Sequence, residues 1–136
     1  MAKTWAQKLA GGQPPHVDVL EKAFAGLKPG QTLFIASPRL VADEIAKLPA
    51  GKAETVAAFR QRLAKRNKAD ATCPLSTGIF IRIAAEAAWD EILAGKPLSA
   101  VTPFWRLVEP GSALAARLRC GDDFLEAQRA AEGMAP

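Results

Sequence analysis

Apolar residues recur along much of this chain at helical spacing, with short polar or Gly/Pro breaks between the runs. Ser37 is a good N-cap and Pro38 suits a first helical position; Val41, Ile45 and Leu48 then share one face until Pro49 stops the helix. Pro49-Ala50-Gly51-Lys52 reads as a turn. A second helix is predicted over residues 55–66, with Val56, Phe59 and Leu63 as its buried stripe. After a polar connection over 67–71, Thr72 is placed to cap a long helix with Pro74 near its first turn. Leu75, Ile79, Ile83 and Ala87 mark its apolar face as far as Leu93, and Gly95 and Pro97 end it. Residues 101–108 mix β-branched and aromatic types and read as extended, Pro110-Gly111 as a turn. Asp122 or Asp123 caps a last helix through Phe124, Leu125, Gln128 and Ala131, closed by Gly133.

The first 31 residues are less regular, with Gly11, Gly12, Pro14, Pro15, Pro29 and Gly30 as breakers. Trp5 and Leu9 allow one short helical turn, and Val17, Val19 and Leu20 a short extended piece. Leu33-Phe34-Ile35 is ambiguous between strand and helix entry. The expectation is a mainly α domain over 37–133, preceded by an extension over 1–36 packed on its core. Two helices joined by a short polar turn, with a β element after them, suit a winged helix-turn-helix.

Composition adds a direction. The net charge is only +4, but Lys52, Arg60, Arg62, Lys65, Arg66 and Lys68 face one acid, Glu54, in the same stretch, whereas Asp122, Asp123, Glu126 and Glu132 load the end. One cationic face suits a polyanion, and these six side chains are the phosphate-contact candidates. Thr72, Ser76 and Thr77, at the start of the long helix, are placed to reach base edges or phosphates. Cys73 and Cys120 with a single histidine, His16, make no zinc site. No secretory signal is visible in residues 1–10, and no apolar run approaches the ~18 residues a membrane span needs. A reducing, cytoplasmic compartment is expected, nucleoid-associated if DNA is bound, with no membrane, metal or cofactor.

Four segments in order then resemble the methylguanine-DNA methyltransferase family. Ile45 to Lys52, IAKLPAGK, is similar to that family's helix followed by I-P-x-G-K. Thr102 to Val108, TPFWRLV, resembles its active-site I-P-C-H-R-V-V. Residues 111–118 fall where the family has its wing, and Phe124 to Gly133 resembles the terminal helix ending in L-L-x-x-E-G. The match runs over about 37–133.

In the family the cysteine of this motif takes the alkyl group from guanine, the adjacent histidine helps ionise it, and the glutamate of the last helix orients the histidine. Here Phe104 and Trp105 hold the first two positions and Glu132 the third. Phenylalanine has no lone pair to attack carbon, and an indole N–H donates but is no base. Val56 falls where the family has a phosphate-binding tyrosine, and residues 73–80 lack the arginine that fills the base stack after extrusion.

The resemblance therefore implies an alkyltransferase-like protein that binds duplex DNA and recognises alkylated guanine without repairing it, with repair proteins as further partners. Pro103, Phe104, Trp105, Arg106 and Glu132 would form the lesion pocket, with Arg106 holding its loop through a carboxylate or backbone carbonyl. Two alternatives stand beside it. One is an alkyltransferase acting through Cys73, a candidate reactive thiol at a helix N-terminus. The other is a protein-interaction module that has lost DNA binding.

Overall fold

The computed structural model describes residues 2–134. Helix α1 spans Trp5–Ala10 and strand β1 His16–Val19, so the extension carries regular structure. Thr4 and Gln7 close a capping box on α1, each side chain accepting from the other's backbone N–H. The ambiguous run becomes strand β2, Thr32–Ile35, antiparallel to β1 and parallel to the two-residue β3, Ala71–Thr72. The sheet order is β1-β2-β3, so β2 is central; its Leu33 and Phe34 are both buried, whereas Val17 and Val19 on the edge strand are exposed.

The helical framework follows the caps. Helix α2 is Pro38–Ala46, with the Ser37 hydroxyl accepting from Leu40 N–H; α3 is Val56–Arg66, with the Thr55 hydroxyl accepting from Ala58 N–H. Helix α4, Pro74–Leu93, is the long one, and both α1 and α2 pack on it. Val41, Ile45, Phe59, Leu63, Ile81 and Ala84 meet in the core, while Val56 is only half-buried at its edge. No helix of the described residues is long and apolar enough to cross a membrane.

Several expectations need correction. Thr72 does not cap α4: it lies in β3 and its hydroxyl donates to the Arg60 carbonyl at 2.8 Å, while Cys73 takes the N-cap position with no side-chain bond. The face of α4 expected to be buried is only half right. Ile83 and Ala87 are buried, but Leu75 and Ile79 are 67% and 50% exposed. The inner face near the helix start is instead Thr77, Ile81, Ala84 and Ala88, in a helix against which α1 and α2 pack.

The segment expected to be extended is not a strand. A 3₁₀ turn, Phe104–Arg106, occupies its middle, and another, Leu98–Ala100, precedes it. A strand would send the consecutive Phe104 and Trp105 to opposite faces, whereas a tight turn lets both point inward. The residues matched to the wing form a short helix, α5 (Ala113–Ala116), because Ser112 caps an alanine-rich run. The β element thus lies before and between the helices rather than after them. The last helix, α6, is Gly121–Ala131, and neither aspartate is its cap: both lie in its first turn, where they favour the positive dipole end, and Asp122 accepts from Gly111 N–H.

Candidate functional site

Residues 103–106 lie between α2, α4 and α6. Phe104 is 0% exposed, 5.5 Å from Trp105 and 5.9 Å from Phe124 between ring centroids, in an aromatic cluster that continues to Trp89. It fills the core. Trp105 is also buried, but its indole N–H donates to Glu132 Oε2 at 2.8 Å. Arg106 donates to the same carboxylate at 2.8 Å through Nη2 and at 2.9 Å through Nε, and its Nη1 reaches the Leu48 carbonyl at 2.8 Å. The expected structural pairing of Arg106 is therefore present, to a carboxylate and to a carbonyl.

The fourth group on Glu132 is a backbone amide, Gly51 N–H at 3.0 Å. Gly51 needs to be glycine: its φ is +82°, and a Cβ there would lie 3.0 Å from the Glu132 carbonyl oxygen. The Arg106 side chain, with help from Gly51 and Trp105, overcomes partial burial and holds the Glu132 carboxyl down at about 2. A carboxylate so engaged is neither a base nor an acid near neutrality; it locks the turn at 49–52, the segment 103–106 and the end of α6 together.

Beside this lock lies a cleft of about 320 Å³, walled by Pro103, Trp105, Arg106, Ser99, Thr102 and Ala46. Neither cysteine lines it. Cys73 is buried under the start of α4, and Cys120 is half-buried elsewhere, its thiol pushed up to about 11 by burial and the neighbouring Glu86. Thiol transfer to Cys73 would require a buried sulfur away from the cleft to meet the alkyl carbon. His16, the single histidine, binds locally to the Pro14 carbonyl and lies 3.5 Å from Asp18. No group of three or more potential metal ligands is gathered among the described residues.

The basic stretch divides in two. Glu44 on α2, only 4% exposed, takes Arg62 at 3.0 Å, Lys47 at 2.7 Å and also Arg66. Arg62 further pairs with Glu54 at 3.0 Å. Burial raises the Glu44 carboxyl, but the hydrogen bond from Lys47 and the nearby arginines outweigh it and keep it below the usual range. Arg62 and Arg66 thus tie α3 to α2. Charge counting within residues 52–68 missed Glu44 because it lies on another helix. The signal available was spacing, since a residue three after Val41 and next to Ile45 falls near their buried face.

Lys52, Arg60, Lys65 and Lys68 make no ion pair among the described residues. Arg60 and Lys65, with Gln61, Asp70 and Thr72, border an open groove of about 470 Å³ between α3 and β3. Of the polar residues expected at the start of α4, only Thr72 borders this groove, and its hydroxyl is committed to the Arg60 carbonyl. Thr77 is 0% exposed and donates to the Cys73 carbonyl, and the Ser76 hydroxyl is shielded from solvent without a partner. The helix turns Leu75 and Ile79 outward in their place.

Comparison of the chain with family models, with curated proteins and with solved structures returned no match.

Proposed function

We propose that this chain is a non-enzymatic, duplex-DNA-binding protein of alkyltransferase-like type, with α3 and α4 as its helix-turn-helix and α5 in the place of a β-wing. The observation that carries this reading is that Arg60 and Lys65, which edge the open groove between α3 and β3, make no ion pair among the described residues, nor do Lys52 and Lys68. Unpaired guanidinium and ammonium groups release counterions from DNA when they meet phosphates, and internally paired ones do not. Phosphate contact is therefore assigned to Lys52, Arg60, Lys65 and Lys68, and withdrawn from Arg62 and Arg66, which are paired with Glu44.

The lesion claim rests on the cleft beside Trp105 and Arg106. Its volume, about 320 Å³, is within the ~300–1,000 Å³ of small-ligand sites. An extruded alkylated guanine would lie against Trp105 and Arg106 with no nucleophile to attack it, so recognition ends without transfer. Such a protein would work in the cytoplasm and leave the chemistry to repair proteins.

The test is a titration of plain and methylguanine-containing duplexes at ~50 and ~200 mM salt. We expect tighter binding to the lesion duplex and a steep fall of affinity with salt. In Arg60→Ala/Lys65→Ala the log–log slope should shrink by about two, roughly one for each lost phosphate contact, with the discrimination between duplexes kept. Equal affinity for both duplexes would remove the lesion sensor and leave a general DNA binder. Binding indifferent to salt would remove DNA altogether.

A further inference from the structure

A second cleft, of about 310 Å³, shares no lining residue with the one beside Trp105. It opens where the turn entering α3, the chain just after the 103–106 segment, α5 and α6 come together. Its apolar walls are Val56, Leu107, Val108 and Leu114, and Glu54, Glu109 and Arg129 border them.

Arg129 sets the chemistry of this cleft. Its Nε donates to the Trp105 carbonyl at 2.8 Å, which fixes the plane of the guanidinium. Its two Nη groups are accessible and have no hydrogen-bond or ion-pair partner among the described residues. Burial pulls its basicity below that of an ordinary arginine, with Glu109 acting the other way, but a guanidinium stays charged in a protein. Neither acid neutralises it. Glu54 is held by Arg62 through two bonds, at 3.0 and 3.2 Å, and the exposed Glu109 forms no ion pair. A cation drawn partly out of water without a counter-charge is unfavourable until an anion joins it.

The shape narrows the class of anion. With Nε occupied, the guanidinium still offers its Nη1–Nη2 edge, whose paired donors match the two oxygens of a carboxylate. The volume lies at the small end of the ~300–1,000 Å³ of small-ligand sites, and the aliphatic walls suit a compact apolar body. We infer that this cleft binds a small monocarboxylate, with its oxygens on the Arg129 Nη groups and its apolar body against Val56, Leu107 and Leu114. Glu109 at the rim opposes the ligand's charge and limits the affinity. The site does not depend on DNA binding, and either can fail without the other.

The experiment titrates the full chain, at low salt, with benzoate, with its uncharged isostere benzamide and with inorganic phosphate, read by calorimetry and by amide chemical shifts. Benzoate is expected to bind saturably with a Kd of ~1 mM or tighter, moving the signals of Val56, Leu114 and Arg129. Benzamide and phosphate should bind about tenfold more weakly or worse. Arg129→Met keeps an apolar stem without the charge and should weaken benzoate about tenfold or more. Because Arg129 also holds the Trp105 carbonyl, a second variant reads the same electrostatics without touching that bond. Glu109→Gln changes an exposed side chain, should leave the thermal melt in place, and should tighten benzoate roughly two- to fivefold as the opposing charge goes. Absence of saturable benzoate binding overturns the site, and so does benzamide binding as tightly as benzoate. Affinity unchanged in a folded Arg129→Met, or in Glu109→Gln, overturns the role of the guanidinium. Phosphate equal to benzoate overturns the carboxylate class, and shifts confined to the residues around Trp105 overturn the location.

Discussion

Glu132 receives hydrogen bonds from Gly51, Trp105 and Arg106, and the arginine it neutralises is itself largely buried. Removing that negative charge would leave the Arg106 guanidinium facing an amide, so Glu132→Gln is expected to cost roughly 3 kcal/mol at neutral pH. The pH dependence follows from the direction of the shift. The carboxyl titrates at about 2 in the folded chain against 4.5 ordinarily. Its contribution is fully present above about pH 4.5 and is lost as pH falls toward 2. Urea midpoints of parent and variant should differ most near pH 7 and converge only as pH falls to about 2 and below. The neighbouring Phe104 marks a second point at this scale. A thiol installed there would lie at a position with no solvent contact, packed among aromatic rings.

Between elements, Glu44 is the hinge pin of α2 and α3. Glu44→Gln keeps the shape but removes the charge that three cations share. The melting temperature should fall, by the ~2–3 kcal/mol expected when a buried ion-pair partner is removed. If the chain binds DNA as proposed, the salt slope should steepen by about one as Arg66 is freed, since Arg62 retains Glu54. A lower melting temperature with an unchanged slope would mean the freed arginine still faces inward. How much of this was legible in the sequence differs by element. Ser37-Pro38 and Thr55 announced their helices because caps are local chemistry. The rotation of α4 was not legible, because Leu75, Ile79, Ile83 and Ala87 form an acceptable stripe on their own, and only the position of α1, α2 and the 103–106 turn decides which stripe is covered. The 103–106 turn escaped for a similar reason: its β-branched and aromatic composition favours strands, but two adjacent aromatic rings both had to be buried. At the candidate site, the link of Arg106 to a carboxylate could be anticipated from the family-like motif, whereas the identity of the free cations depended on a helix outside their stretch.

For the molecule as a whole, residues 1–36 are part of the fold. They supply β1 and the central strand β2, and α1 lies along α4 with Trp5 between the cationic ends of Lys8 and Arg82. Deleting 1–36 removes Phe34 from the core and leaves β3 without a partner. The truncated chain is expected to lose its cooperative thermal transition, monitored by circular dichroism, even though the family-like motifs all lie beyond the cut. A truncated chain that still melted in one sharp step would show that the later residues fold alone.

The two-residue strand at Ala71–Thr72 has a consequence beyond its size. Cys73 N–H reaches the Phe34 carbonyl at 2.9 Å and the Thr72 hydroxyl reaches the Arg60 carbonyl, so the entrance to α4 is bolted to the sheet on one side and to α3 on the other. The helix tip is thus presented ready-aimed, and docking forfeits little conformational freedom there. On the proposed DNA-binding reading, capture speed would be governed by charge-steered encounter, and differences among duplexes would appear in how long each complex lasts.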